Sequence, residues 1–283
     1  MAVAGGLIAG AFVLFGTSPA TPTASVTPKT SVAAHRSPRP HSPGPSHASP
    51  VTTPRPKVLA GMTVGIDPGH NGQNFANPAY LNQIIWNGRE RETCDTTGTQ
   101  TASGYTEALF NFNVARYLKA DLRKDGARVV MTRYSNNGVG PCVDRRARIL
   151  NNAHANVAID IHADGGPTSG RGFTVLEPIA DGPNNAVIGS SLRFGSDVHQ
   201  AFLSDTPFGV STYYGHDGYI LRNDLAGLNL TTVPKVLIEC GNMPNPADAA
   251  LLTSPKVQRE IARALEAAII RFLTGHWPPK TTS

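Results

Sequence analysis

The chain predicts an α/β fold built on a mainly parallel sheet, and three observations carry that prediction. After Val58, apolar runs of strand length alternate with amphipathic runs of helix length, the texture of repeated strand–helix units. Several of the apolar runs stop at turn-forming or polar residues, where a strand would leave its sheet. No internal repeat and no second change of composition interrupts the stretch up to about Thr274, so a single domain spans residues 58–275. With 40% hydrophobic content in 283 residues, there is ample apolar surface for its core.

The first strand is Met62 to Ile66, in which Met62, Val64 and Ile66 alternate as a half-buried strand requires. Asp67-Pro68-Gly69 cannot continue a ladder; it turns the backbone and delivers His70 one residue later. Asn71 to Ser103 is polar and rich in Gly and Asn, a long excursion over the surface of the kind that is usually functional or mobile. Thr106 to Lys124 follows as a helix with Leu109, Phe112, Ala115, Leu118 and Leu122 at helical spacing, stopped by Asp125-Gly126. Arg128 to Thr132 reads as a buried strand, Arg145 to His154 as a helix, and Val157 to His162 and Gly172 to Leu176 as strands. Ala186 to Leu203 is an amphipathic helix, and Tyr219 to Leu221 and Lys235 to Cys240 are further strands. The domain closes with a helix from Pro255 to Leu273, where Pro255 sits in a first turn that tolerates it. Residues 276–283 form a flexible tail.

The charge is informative once located. Lys29, Arg36, Arg39, Arg55 and Lys57 stand in a leader without one acidic residue, and they account for the whole net charge of +5. The domain beyond them is neutral, which excludes a basic nucleic-acid-binding surface as the meaning of the high pI. Residues 1–20 hold an uncharged apolar run, Ala2 to Gly16, too short to span a membrane comfortably but suited to an export signal, with Ser18-Pro19-Ala20 as the cleavage site. No Lys or Arg precedes that run, which keeps an uncleaved membrane anchor as the alternative. Residues 21–57 are a disordered linker dense in Pro, Ser and Thr, a spacer that lacks the residues for a core.

The chemistry emerges when strand ends are compared. His70 follows one strand, His162 ends a second, and Glu239 lies near the end of a third; parallel strands gather their carboxyl ends on one edge of the sheet. Glu107 opens the helix after the long excursion, where the helix dipole favours a carboxylate. Two imidazoles and one carboxylate form the ligand set of a catalytic zinc site, and a further carboxylate is needed to carry protons. Glu107 suits ligation and Glu239 suits the base, although spacing by itself does not settle which does which.

These residues resemble the type-3 zinc-dependent N-acetylmuramoyl-L-alanine amidases, bacterial enzymes that cut peptidoglycan. The likeness covers nearly all of Met62 to Leu273. Its motifs are Ile66-Asp67-Pro68-Gly69-His70, Glu107 at a helix start, Asp160-Ile161-His162-Ala163-Asp164, and Pro234-Lys235-Val236-Leu237-Ile238-Glu239-Cys240-Gly241. A Thr132-Arg133 pair and the Arg-rich Arg145-Arg146-Ala147-Arg148 precede the third. The resemblance implies a six-stranded, mainly parallel sheet with helices on both faces. It also implies one Zn2+ per chain on His70, Glu107 and His162, Glu239 as the catalytic carboxylate, and cleavage between the muramoyl lactyl group and L-alanine. The expected partner is peptidoglycan or a muramoyl-peptide, met by an exported monomer in the periplasm or cell wall, tethered to the membrane only through its leader. Asp160 departs from the family, which often has Ser there. The readings from other classes are a zinc peptidase acting within stem peptides and a non-catalytic wall-binding protein.

Export to an oxidising compartment permits Cys94 and Cys142, both in polar loops, to form a disulfide. Cys240 sits in an apolar strand beside Glu239, and neighbouring strand residues face opposite ways, so it reads as a core residue. Arg222 and His216 are candidates for lining the substrate groove, Arg222 with a structural ion pair as its alternative. Asp67 either braces His70 or caps the turn, and Asp160 and Asp164 each either orient His162 or satisfy loop amides. The span between Leu176 and Tyr219 leaves room for one packing helix, which predicts a site open without an activator.

Overall fold

A computed structural model describes residues 57–279. The expected leader, the linker up to residue 56, and the last four residues of the tail lie outside the described residues. Strand β1 (Thr63–Pro68) is followed by a single turn α1 (Pro78–Leu81) and a short antiparallel hairpin, β2 (Ile84–Trp86) and β3 (Arg91–Thr93). Then come α2 (Glu107–Lys124), β4 (Arg128–Met131), α3 (Val143–Asn152), β5 (Val157–Asp164), β6 (Thr174–Pro178) and α4 (Ile188–Asp205). The chain finishes with β7 (Tyr219–Arg222), α5 (Ala226–Asn229), β8 (Lys235–Asn242), α6 (Pro246–Leu252) and α7 (Pro255–Thr274).

Six strands form one sheet in the order β4-β1-β5-β8-β6-β7. The four strands β4, β1, β5 and β8 are parallel, whereas β6 runs antiparallel to β8 and carries β7 with it. The carboxyl ends of β1, β5 and β8 therefore share an edge, while β7 ends at the opposite one. This register pairs His162 with Glu239 across β5 and β8, and Glu239 with Thr174 at the start of β6.

The two faces of the sheet differ in chemistry. One carries Val64, Ile66, Ile159, Ile161, Val236, Ile238 and Cys240 and is covered by α2, α4 and α7, whose apolar stripes complete the main core. Cys240 is fully buried there, on the opposite face from Glu239, as strand alternation requires. The other face holds Asp67, Asp160 and Lys235 among its buried residues and is covered by α3 and α5. Gly65 lets α3 settle on that face, because a Cβ there would stand 2.8 Å from the Leu150 side chain.

Three differences from the sequence reading have physical causes. The excursion after β1 is structured: Cys94 bonds Cys142, which ties the hairpin to the start of α3. The buried stripe of α2 runs through Phe110, Val114, Leu118 and Leu122, with Leu109 and Phe112 only partly buried, because Glu107 and Asn111 occupy the inward face at its first turn. Asn111 can do so because its amide donates to Gly69 O (3.1 Å). The helix α6 and the turn α5 are too short for hydrophobic period to reveal. At the other end, Gly275 stops α7 in the left-handed conformation (φ 78°), and the Trp277 indole lies 5.9 Å from the Arg271 guanidinium.

Candidate metal centre

The site begins where β1 leaves the sheet. Gly69 N donates to Ile161 O (3.0 Å), and His70 adopts a left-handed backbone (φ 56°), uncommon for a residue with a side chain. Arg146 holds that backbone by donating to His70 O (2.8 Å) and Pro68 O (2.9 Å), and Arg133 donates to Pro68 O, Gly69 O and Ala108 O. The Thr-Arg and Arg-rich segments thus act as clamps on the turn. Gly69 has no alternative: a Cβ there would lie 2.1 Å from His162 Nε2.

Glu107, at the amino end of α2, reaches over the sheet edge between the two imidazoles. Its Oε2 lies 3.2 Å from His70 Nε2 and its Oε1 2.7 Å from His162 Nδ1. The donor atoms of His70, Glu107 and His162 all fall within 4.8 Å of one another. A loop closes over them: Thr99 N donates to Glu107 Oε2 (3.0 Å), and Gly98 (φ 71°) passes so close that a Cβ would stand 2.8 Å from both Glu107 Oε2 and His70 Cδ2.

Each imidazole presents its other nitrogen to a carboxylate. His70 Nδ1 is 3.0 Å from Asp95 Oδ1, and His162 Nε2 is 3.4 Å from Asp160 Oδ1. Asp95 also meets Arg146 (3.5 Å), and Asp160 meets Lys235 Nζ (3.3 Å). Between those cations lies Asp67, which accepts from Thr132 Oγ1 (2.5 Å), Arg146 Nη1 (2.7 Å) and Lys235 Nζ (3.2 Å). Of the two roles open to Asp67, it takes neither; it bridges two buried cations. Asp160 is the aspartate facing His162, whereas Asp164 accepts from the Tyr213 hydroxyl (2.6 Å).

The electrostatics follow from this packing. Burial alone would lower His70, but Glu107 and Asp95 outweigh it and lift the imidazole to about 9. His162 is likewise raised against burial by Asp160 and Glu107. Glu107 is held well below the usual carboxylate range, both imidazoles overcoming the cost of its burial. Lys235 and Arg146 do the same for Asp67. Glu239 behaves oppposite to these: burial pushes it up to about 8 against the pull of His162, with Glu107 and Asp164 adding to the rise, and its Oε2 has no hydrogen-bond partner.

This donor set fits a divalent cation. Four carboxylates joined by direct contacts, Glu107, Asp95, Asp67 and Asp160, face two cations, Arg146 and Lys235. With neutral imidazoles the cluster carries two excess negative charges, which a dication between the ring nitrogens neutralises. A cleft of about 190 Å3 opens beside the rings, lined by Asp95, Asp160 and His162 and walled by Val143, Leu228 and Leu237.

His70, Glu107, His162 and Glu239 are thus brought together, and Cys94–Cys142 is a disulfide. Arg222 and His216 are not in the cluster. Arg222 pairs with Pro178 at the far end of β7, and its guanidinium is engaged by Asp224 (2.6 Å) and by the Tyr214 hydroxyl. His216 is 91% exposed and faces Asp217 (3.0 Å). Asp95 and Lys235 escaped the sequence reading. Lys235 had a usable signal: a lysine inside the apolar Lys235-Val236-Leu237-Ile238 run, on the face of Leu237 and Glu239, demands a buried counter-ion. Asp95 could be found only through its neighbour Cys94, once the disulfide is known to anchor that loop.

Two histidines and a glutamate at the carboxyl edge of an α/β sheet, beside a buried carboxyl group, form a set that could hold a metal ion next to a proton carrier, the arrangement a hydrolase can use. Comparison with known proteins narrows this. The family profile described as N-acetylmuramoyl-L-alanine amidase matches residues 64–271. An N-acetylmuramoyl-L-alanine amidase of Mycobacterium tuberculosis is 41% identical over 220 residues, covering 77% of this chain and 89% of its own. The crystal structure of the amidase Ami1 from Mycobacterium smegmatis superposes with a TM-score of 0.72 at 40% identity, over 77% of this chain and 99% of that one. Ami1 from Mycobacterium abscessus gives the same score and identity over 76% and 100%. The chain belongs to the N-acetylmuramoyl-L-alanine amidase family and is a hydrolase of amide bonds.

Proposed function

We propose that the protein is a Zn2+-dependent amidase that cleaves the bond between the muramoyl lactyl group and L-alanine of peptidoglycan stem peptides, in remodelling or turnover of the wall. His70, Glu107 and His162 hold the ion, one per chain, and Glu239 carries the proton. The observation that bears most weight is the pairing of this compact ligand set with an adjacent carboxyl whose Oε2 is buried and unpartnered. When bound, Zn2+ supplies Lewis acidity, polarising the amide carbonyl and acidifying water. Glu239 takes a proton at its free oxygen from the attacking water and passes it to the leaving amine. Asp95 and Asp160 keep the imidazoles turned with one nitrogen toward Glu107.

Residues 58–275 form the catalytic domain in this reading, preceded by an export signal or anchor and a spacer that leads a monomer to the wall. The ion pair of Arg222 with Asp224 supports a structural role for that arginine. The test is digestion of a muramoyl-peptide by native, metal-stripped and Glu239→Ala protein, with products identified by mass. The amidase reading requires a free L-alanine amino terminus and an intact muramoyl carboxyl. Cleavage within the peptide would establish a stem peptidase, and activity surviving both treatments would reject the mechanism.

A further inference from the structure

The buried charges behind the ligands form a continuous path from one imidazole to the other. It runs from His70 to Asp95 (3.0 Å), Arg146 (3.5 Å), Asp67 (2.7 Å), Lys235 (3.2 Å), Asp160 (3.3 Å) and His162 (3.4 Å). Arg146, Lys235 and Asp67 have side chains 2% exposed or less, and Asp95 3%. Burying such groups costs several kcal/mol per ion, and a well-packed apolar replacement is often at least as stable. Stability therefore does not account for the network; its ends, on the ring nitrogens that face away from Glu107, point to another use.

Lys235 is the centre of the path. Its ammonium bonds Asp67 and Asp160 at once, and Gly227 at the start of α5 passes over it closely enough that a Cβ would be 3.2 Å from Nζ and 3.3 Å from Asp160 Oδ2. Held in this way, Asp160 keeps one carboxylate oxygen on Lys235 and turns the other, which has no well-formed hydrogen bond of its own, toward His162 Nε2. A carboxylate on the outer nitrogen fixes the proton there and leaves Nδ1 free as a donor to metal. A serine in place of Asp160 would supply no charge for Lys235 to hold.

We propose that Lys235 is a positioning residue for the metal centre: through Asp160 it sets the ring and tautomer of His162, and through Asp67 and Arg146 it couples that ring to Asp95 and His70. The proposal rests on the reading of His70, Glu107 and His162 as ligands. Its consequence is that a residue touching neither metal nor substrate governs affinity for the ion, and that both imidazoles respond together when it is changed.

The test measures Zn2+ affinity by chelator competition in the full chain, together with imidazole tautomers by long-range 1H–15N NMR, for wild type, Asp160→Asn and Lys235→Met/Asp160→Asn. The double variant removes one charge of each sign, and Asp67 keeps Arg146, so folding survives, whereas Lys235→Met alone would strand the Asp160 carboxylate. Both variants are expected to bind Zn2+ about 10- to 100-fold more weakly. Both should also show mixed Nδ1–H and Nε2–H populations at His162, and the double variant should shift His70 as well. A lower melting temperature with affinity within about twofold of wild type and unchanged tautomers would overturn the proposal. Failure of wild type to take up Zn2+ would instead reject the ligand reading on which it stands.

Discussion

Glu239 combines burial with a free oxygen, and its replacement separates proton transfer from metal binding. Glu239→Gln keeps the shape of the side chain but removes the base, so hydrolysis is expected to fall by about 10^2- to 10^4-fold. Bound zinc, measured by elemental analysis, should stay at the wild-type level, because Glu239 is not among the three clustered residues proposed as ligands. Gly69 offers the converse case. Its missing Cβ is the space that His162 Nε2 occupies, so Gly69→Ala is expected to displace that ring and weaken zinc uptake while leaving most of the fold intact. Retention of wild-type affinity in a chelator titration would contradict this account of the glycine. At the same scale, the clustered His70, Glu107 and His162 and the neighbouring Glu239 were legible as residue types at strand ends and a helix start. The carboxylates behind them were not, since Asp95 reaches His70 through a loop whose path no periodicity describes.

The elements that carry the site are cross-braced. The disulfide joins the hairpin loop to the residue before α3, placing Asp95 and Arg146 on either side of one covalent link. With the cysteines 48 positions apart in sequence, chain entropy assigns the bond about 4 kcal/mol. A Cys94→Ser/Cys142→Ser protein should lose an amount of that order in denaturant unfolding. It should also bind zinc less tightly, since Asp95 would no longer be anchored. On the other flank, Glu177 of β6 lies beneath α4, where Gly195 makes room for it. Burial lifts its carboxyl from 4.5 to about 7. Below pH 4.5 the group is neutral folded or unfolded; as pH rises toward 7 the unfolded chain ionises first, so folding loses stability across that window. Glu177→Gln should therefore gain stability relative to wild type at pH 8 compared with pH 5, as thermal melts at the two pH values would reveal.

For the whole molecule, the arrangement of sheet, clamps and loop makes the domain self-sufficient in the reading proposed above. A protein of residues 58–275 is expected to hydrolyse muramoyl-peptide without an added activator. Treatment with a chelator should abolish that activity and Zn2+ should restore it; strict dependence on a second protein would contradict the expectation. The α/β class and most element positions were readable because hydrophobic period reports which face of a strand or helix is buried, and that is local information. The candidate ligands were readable because parallel strands must bring their ends together. The sequence by itself thus determined the sheet, the edge at which chemistry gathers and the pair of cysteines. Tertiary structure alone decided that β6 and β7 reverse direction, carrying Arg222 away from that edge, and that Asp67, Lys235 and Arg146 lie between the two histidines. Those relations depend on register and on buried charge seeking charge across distant segments, and neither leaves a period in the chain.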